Sequence, residues 1–275
     1  MKILIVSNCQ GRKIGIFLQK ILKLKNINFN IEYIKNYSSN EKILRNLNKI
    51  VNKNFDVCIY QPLRTNIIID LIKNLKKNNK NLIEISFPYI FCDGLSCLSI
   101  AMNGDEIRKI YGEKYIIDLL DKNLTKKEII DRFFKNKIDF KNCERFNNSI
   151  EEVRRREQTT IIKVSDFIKK NYKKNQLFLT NNHLSTIFFE YLVKNILNIL
   201  KIKYDSLLIN KVFKYKIDNG KKIIKNNNIT DLPDDNYVLS IFDKNNNKLS
   251  YFNKRWKKDG FQIIKKIIKR YNNLE

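Results

Sequence analysis

The first ninety residues alternate short apolar runs with amphipathic stretches of helical period, and this alternation constrains the fold more than any other property of the chain. Lys2–Ser7 is an apolar run after its first residue, and Ile14, Phe17, Leu18, Ile21 and Leu22 follow at the spacing of one helix face. Ile31–Ile34, Asp56–Tyr60 and Leu82–Phe87 read as three further strands. Ser38 and Glu41 have capping-box spacing, which predicts a helix over 40–52, and Asn66–Lys77 predicts another. Strands alternating with helices of this length require a parallel sheet with helical crossovers on its faces. The expected fold class is therefore α/β, a parallel sheet of βα units with helical insertions.

Beyond Pro88 the pattern becomes irregular. Cys92-Asp93-Gly94 and Asn103-Gly104 read as a long functional loop, with helix resuming over 105–111. Thr125 and Glu128 form a capping box that opens a helix over 126–135. Glu151–Arg156 begins a charged helical segment, and Ser165 caps a helix over 166–172. Gln176–Thr180 reads as a short strand, and Asn182 as the cap of an apolar helix running to Leu200. The last seventy residues differ. A hairpin is expected over 213–217 and 222–225 around Asn219-Gly220, with loops at 226–228 and 245–247. Phe261–Tyr271 is a basic helix with Ile263, Ile264, Ile267 and Ile268 on one face, expected to dock on its own domain. The organisation predicted is an α/β domain over 1–203 and a small basic C-terminal extension over 204–275.

An apolar fraction of 43% in 275 residues supports a real core. Five cysteines, an odd number without framework spacing, suit a reducing, cytoplasmic setting. The N-terminus carries no signal-peptide pattern, and no apolar run approaches the roughly 18 residues of a membrane span. The net charge of +26 raises nucleic acid as a partner. Its lysines are scattered along the chain without a recognition motif, so no specific nucleic-acid binding is expected. An acidic substrate, or peripheral contact with an anionic membrane surface, fits the charge better.

Cys9 stands where the first strand gives way to the first helix, the edge at which open α/β sheets present reactive groups. A helix N-terminus favours a thiolate, although a small buried residue closing the strand would look the same. Asn8 and Gln10 could donate to an oxyanion, Gly11 permits close backbone approach, and Arg12 is placed to meet a phosphate or carboxylate. His183, the only histidine, lies among polar residues and is the natural proton acceptor or donor near neutral pH, or else a surface or capping residue. In Glu151–Glu157, Arg155 or Arg156 could hold a phosphate while Glu157 orients His183 or holds a substrate hydroxyl, although a solvated charged face is equally consistent. Asp93 would reach the sheet's carboxyl edge, orienting a base, binding a sugar hydroxyl or holding its own turn. One histidine and scattered cysteines make no metal-ligand set.

Four of these segments, in this order, resemble the WcbI family of capsule-polysaccharide biosynthesis proteins. They are Ser7-Asn8-Cys9-Gln10, then Phe87-Pro88-Tyr89 leading to Asp93, then Arg155-Arg156-Glu157 followed by Ser165-Asp166-Phe167-Ile168, and finally Asn182-His183-Leu184. Ser7 stands where the family has glycine and Leu184 where it has proline. The resemblance spans residues 1–200 and implies an acetyltransferase that binds coenzyme A. Its core would be flavodoxin-like or SGNH-like. Cys9, His183, Glu157 and Asp93 would be catalytic, and Asn8, Gln10, Gly11, Arg12, Arg155 and Arg156 would bind the coenzyme. The reaction implied is O-acetylation, with acetyl-coenzyme A as donor and a glycan or a nucleotide- or lipid-linked sugar as acceptor. A carbohydrate esterase or another group transferase would use the same pair, and a non-catalytic anion-binding protein would need neither.

Overall fold

The computed structural model describes residues 1–36, 43, 45, 49, 50, 52–62, 65–95, 98–103, 106–135, 137–175, 177–179, 181–213, 215–218, 221–224 and 256–272. They fall into two compact units. One comprises described residues within 1–90, 153–167 and 184–228; the other those within 91–152, 168–183 and 229–275.

The first unit is built on a four-stranded sheet of β1 (Lys2–Ser7), β2 (Asn30–Lys35), β3 (Val57–Tyr60) and β4 (Ile83–Ser86). All pairings are parallel and the order is β2-β1-β3-β4. β1 is flanked on both sides and its side chains are buried from Ile3 onward, which is why it reads as a continuous apolar run. The faces divide by alternation. Leu4 and Val6 join Cys58, Ile68, Leu71 and Leu75 in one cluster, which brings in helix α2 (Thr65–Asn78). Ile5 points the other way, against α1 (Cys9–Leu24). α1 buries Ile14, Leu18, Ile21 and Leu22 as its period requires. The predicted helix over 40–52, with its Ser38–Glu41 capping box, lies largely outside the described residues, although Ile43 and Ile50 are buried in the α2-side cluster.

In the second unit the segment expected to be a loop with helix over 105–111 is an antiparallel hairpin, β5 (Ser99–Asn103) and β6 (Glu106–Tyr111). Asn103 pairs with Glu106, so two residues separate the strands. Helices α3 (Glu113–Leu120) and α4 (Lys126–Phe134) follow, the latter opened by the expected Thr125–Glu128 capping box. α5 (Asn142–Glu157) starts nine residues before the charged segment that signalled it, and α6 (Ser165–Asn171) begins at Ser165 itself, one residue ahead of the helix expected over 166–172.

Residues 177–179 are not an extended strand, which corrects the strand expected over 176–180. α7 (Thr186–Ile199) has Ser185, not Asn182, at its N-cap, and its buried Phe188, Leu192, Val193 and Ile196 make it a core helix. α8 (Ser206–Phe213) was not expected. It is too short to show a clear period, and it brings Phe213 into a stack on Phe17 with ring centroids 4.4 Å apart. The hairpin near Asn219-Gly220 forms as β7 (Tyr215–Asp218) and β8 (Lys221–Ile224). The loops expected at 226–228 and 245–247 lie outside the described residues. α9 (Trp256–Tyr271) buries Ile263, Ile264, Ile267 and Ile268 among Leu98, Ile110, Ile116, Ile129 and Phe133 of its own unit. No helix among the described residues is long and apolar enough to cross a membrane.

Candidate active site

The strand order reverses direction between β1 and β3, and in open α/β sheets the crevice at such a reversal is where ligands bind. Cys9 sits there as the first residue of α1. Asn8 is the N-cap, its backbone extended and its Oδ1 accepting the Gln10 N–H at 2.8 Å. Gly11 packs against the strand end so closely that a Cβ would lie 1.8 Å from Ser7 Oγ, so its role is steric as well as permissive. Arg12 is exposed on the same first turn.

The Cys9 thiol is half-buried, and burial raises its pKa above the usual thiol value. The backbone N–H groups of Cys9 and Gln10, and the charges of Lys35 and Lys13, pull the other way but do not win. The thiol is therefore held protonated, contrary to the activated thiolate that a helix N-terminus alone would suggest.

Gln10 also differs from its expected role. Its side chain is buried and committed to the fold. Nε2 donates to the Ile90 carbonyl at 2.7 Å, and Oε1 accepts from Gln61 Nε2 at 2.8 Å and from the Ile90 N–H at 3.3 Å. Gln61, fully buried just after β3, also accepts the Asn8 N–H at 3.0 Å and donates to the Pro88 carbonyl at 3.3 Å. These bonds tie together the chain leaving β1, β3 and β4. Gln10 fixes the turn, and an amide so engaged is not an oxyanion donor.

Beside this scaffold lies a groove of about 760 Å³, wholly within the first unit. Tyr60, Tyr89, Lys73, Lys76, Arg155 and Arg156 line it. Arg156 donates to the Tyr89 carbonyl at 3.2 Å and stands 5.0 Å from that ring's centroid. Glu84, also in the lining, is paired with Lys76 and accepts the Tyr60 hydroxyl at 3.3 Å. Burial and the Glu84 charge push the Tyr60 phenol up to about 12, so it stays a neutral donor.

Glu157 is buried, and its carboxylate accepts the Val164 N–H at 2.6 Å, the Ser165 N–H at 3.0 Å and the Ser165 hydroxyl. Its observed work is to close the turn and cap α6, which corrects the expectation that it orients His183.

Within the second unit, Asp93 holds Arg145 through two bonds, Nη2 to Oδ1 at 2.7 Å and Nε to Oδ2 at 3.1 Å. Oδ1 also accepts Asn181 Nδ2 at 2.8 Å, and the Asn181 carbonyl accepts the Cys92 N–H at 2.7 Å. Asp93 thus anchors the segment two residues before His183. His183 is half-buried, and its carbonyl accepts the Leu179 N–H at 2.7 Å. No group of three or more acidic, cysteine or histidine side chains that could hold a metal occurs among the described residues.

The structure thus joins Asn8, Cys9, Gln10 and Gly11 at one turn, and Asp93 to the turn before His183. The sequence reading missed Gln61, Arg145, Asn181 and the groove residues Lys73 and Lys76. Gln61 could have been found by its position directly after a strand, as Asn8 and Cys9 follow theirs. Lys73 and Lys76 share a helix face with Ile69 and Ile72, where a polar interruption of an apolar stripe marks a rim.

Sheet order and site define an α/β protein whose candidate centre lies at the carboxyl edge of a parallel sheet, at its reversal point. Residues 2–204 match the family model described as polysaccharide biosynthesis enzyme WcbI, and the chain belongs to that family. Among solved structures, one described as WcbI, a novel polysaccharide biosynthesis enzyme, superposes with a TM-score of 0.59 at 17% identity. The match covers 82% of this chain and 74% of that one. That structure is described as the native protein without the disulfide bond between coenzyme A and a cysteine. A comparison with curated proteins finds no match.

Proposed function

We propose that this polysaccharide biosynthesis enzyme transfers an acetyl group from acetyl-coenzyme A to a sugar hydroxyl. The observation that carries the reading is Cys9, a half-buried thiol on the N-terminus of α1 at the sheet's reversal point. The relative whose description names a disulfide between coenzyme A and a cysteine supports a coenzyme thiol at such a residue. The turn fits an acyl thioester. It offers the positive end of α1, an exposed Arg12 for a phosphate, and a small side chain flush with the strand end.

The coenzyme supplies the activated acetyl group; the chain supplies position and proton handling. The raised thiol of Cys9 favours direct transfer over a covalent acyl-cysteine, because the neutral thiol is a poor nucleophile. Cys9 then lines the thioester, and the positive end of α1 faces the negative charge that develops on its oxygen. His183, its turn anchored by Asp93 through Asn181, would take the proton from the sugar hydroxyl as the new ester C–O bond forms and the thioester C–S bond breaks, and that proton would end on the departing coenzyme thiolate, giving free coenzyme A. A coenzyme A donor sets the reaction in the cytoplasm.

The test is release of free coenzyme thiol when purified protein, acetyl-coenzyme A and a panel of glycans are combined. Turnover with at least one acceptor, lost in Cys9→Ala and in His183→Ala, is the expected result. Hydrolysis of acetylated glycan without coenzyme, and no transfer, would overturn the reading in favour of an esterase.

A further inference from the structure

Resting on the transferase reading, we infer that the groove beside β3 and β4 is the acceptor subsite and that it takes an anionic saccharide, a sugar bearing a carboxylate or a phosphate. Three observations carry this.

The first is charge. Four cationic side chains, Lys73, Lys76, Arg155 and Arg156, face one carboxylate, Glu84. A groove with that excess favours a negative ligand, and its concave low-dielectric walls focus the field.

The second is the kind of polar group present. Alongside the cations the lining carries the Tyr60 hydroxyl, the Glu84 carboxylate, and Gln158 and Thr159. Carboxylate, amide and hydroxyl groups together are what vicinal sugar hydroxyls need, since each sugar hydroxyl both donates and accepts. Tyr60 and Tyr89 add aromatic surface for the apolar C–H side of a pyranose ring. Glu84 is held by Lys76 and by the Tyr60 hydroxyl, so it stands as a fixed acceptor.

The third is connection to Cys9. Tyr60 and Pro62 flank Gln61, and Pro88 and Tyr89 lead into Ile90. Gln61 and Ile90 both hold the Gln10 side chain. Groove and thiol turn thus hang on one buried hydrogen-bonded scaffold. Its volume of about 760 Å³ lies within the range of pockets that enclose a small ligand, and it accommodates a short saccharide. The arginines expected from the sequence to hold the coenzyme accordingly face the acceptor.

The test is titration calorimetry on the intact protein without coenzyme, using four probes. Hyaluronan tetrasaccharide presents carboxylates, maltose 1-phosphate a phosphate, maltotetraose no charge, and coenzyme A the donor. Lys73 and Arg155 are exposed, so Lys73→Glu/Arg155→Glu should fold, and Lys73→Ala/Arg155→Ala serves as the milder pair. One or both charged saccharides should bind, with maltotetraose at least about tenfold weaker, and the stronger of the two identifies the anion. The charge-reversed variant should lose about tenfold or more in saccharide affinity while its coenzyme A affinity stays within about twofold. Equal binding of maltotetraose, or no binding of either charged saccharide, overturns the proposal. A variant that loses coenzyme A affinity instead assigns the groove to the donor, which also overturns it. All three outcomes leave the transferase reading standing, because that reading fails only if acetyl transfer itself is absent.

Discussion

Replacing Gln61 by leucine isolates the scaffold beneath Cys9. Leucine has nearly the volume of glutamine, so little cavity arises, but three hydrogen bonds disappear. The Asn8 N–H loses its 3.0 Å acceptor, the Pro88 carbonyl loses a 3.3 Å donor, and Gln10 Oε1 loses a 2.8 Å donor. A buried donor left without a partner costs about 1–3 kcal/mol, and the two weakened acceptors add a smaller amount. The sum is about 2 kcal/mol of local stability at the β1–α1 turn, or about a 30-fold change in its opening equilibrium. Hydrogen–deuterium exchange of the peptide covering 6–18 reads this directly, because amides there exchange through local opening. The N–H groups of the first turn of α1 should exchange about 30-fold faster in Gln61→Leu, with α9 unchanged. Less than about a threefold change would refute the claim that Gln61 organises the thiol turn.

Other perturbations probe other parts of the account. Alkylation of Cys9, followed peptide by peptide, should rise with pH to a midpoint above that of the same cysteine in the unfolded protein, because burial favours the neutral thiol. A native pKa above the unfolded one also sets the sign for stability. The contribution of Cys9 is full below the ordinary thiol range and fades as pH rises past it. Asp93→Ala leaves the Arg145 guanidinium, 9% exposed, without its carboxylate, and should cost about 2–3 kcal/mol in thermal unfolding, somewhat below a fully buried pair because Asp93 is partly exposed. The same variant should lower turnover by loosening Asn181 ahead of His183. Gly94→Ala places a Cβ 2.0 Å from the Phe146 nitrogen and 2.2 Å from its Cα, and backbone cannot swing aside as a side chain can. It should cost about 3 kcal/mol, and an unchanged melting temperature would contradict the packing described.

The parallel sheet was legible because its signal is local. β1 and α1 each carry their own period, whereas the order β2-β1-β3-β4, and with it the reversal point, was set by pairing between strands and not by any local pattern. The β5–β6 hairpin escaped notice although Asn103-Gly104 announces a turn, because the flanking strands lack a clear alternation of apolar and polar residues. Site position was legible for Cys9, which stands where a strand ends. Roles were less so, because a role depends on partners far away in sequence. Gln10 looked like an oxyanion donor until its amide met Ile90, eighty residues on. Glu157 looked like an orienting carboxylate until the backbone of Val164 and Ser165 closed on it. Burial of the Cys9 thiol is likewise a tertiary property that its neighbours in sequence do not reveal.

The central claim is that coenzyme A occupies the turn at Cys9. The most direct measurement is protection of Cys9 from alkylation by saturating coenzyme A, with exposed Cys143 as an internal control and binding verified in the same sample. The account predicts that Cys9 labelling slows by at least about tenfold while Cys143 is unaffected. Equal labelling of Cys9 with and without bound coenzyme A would contradict it.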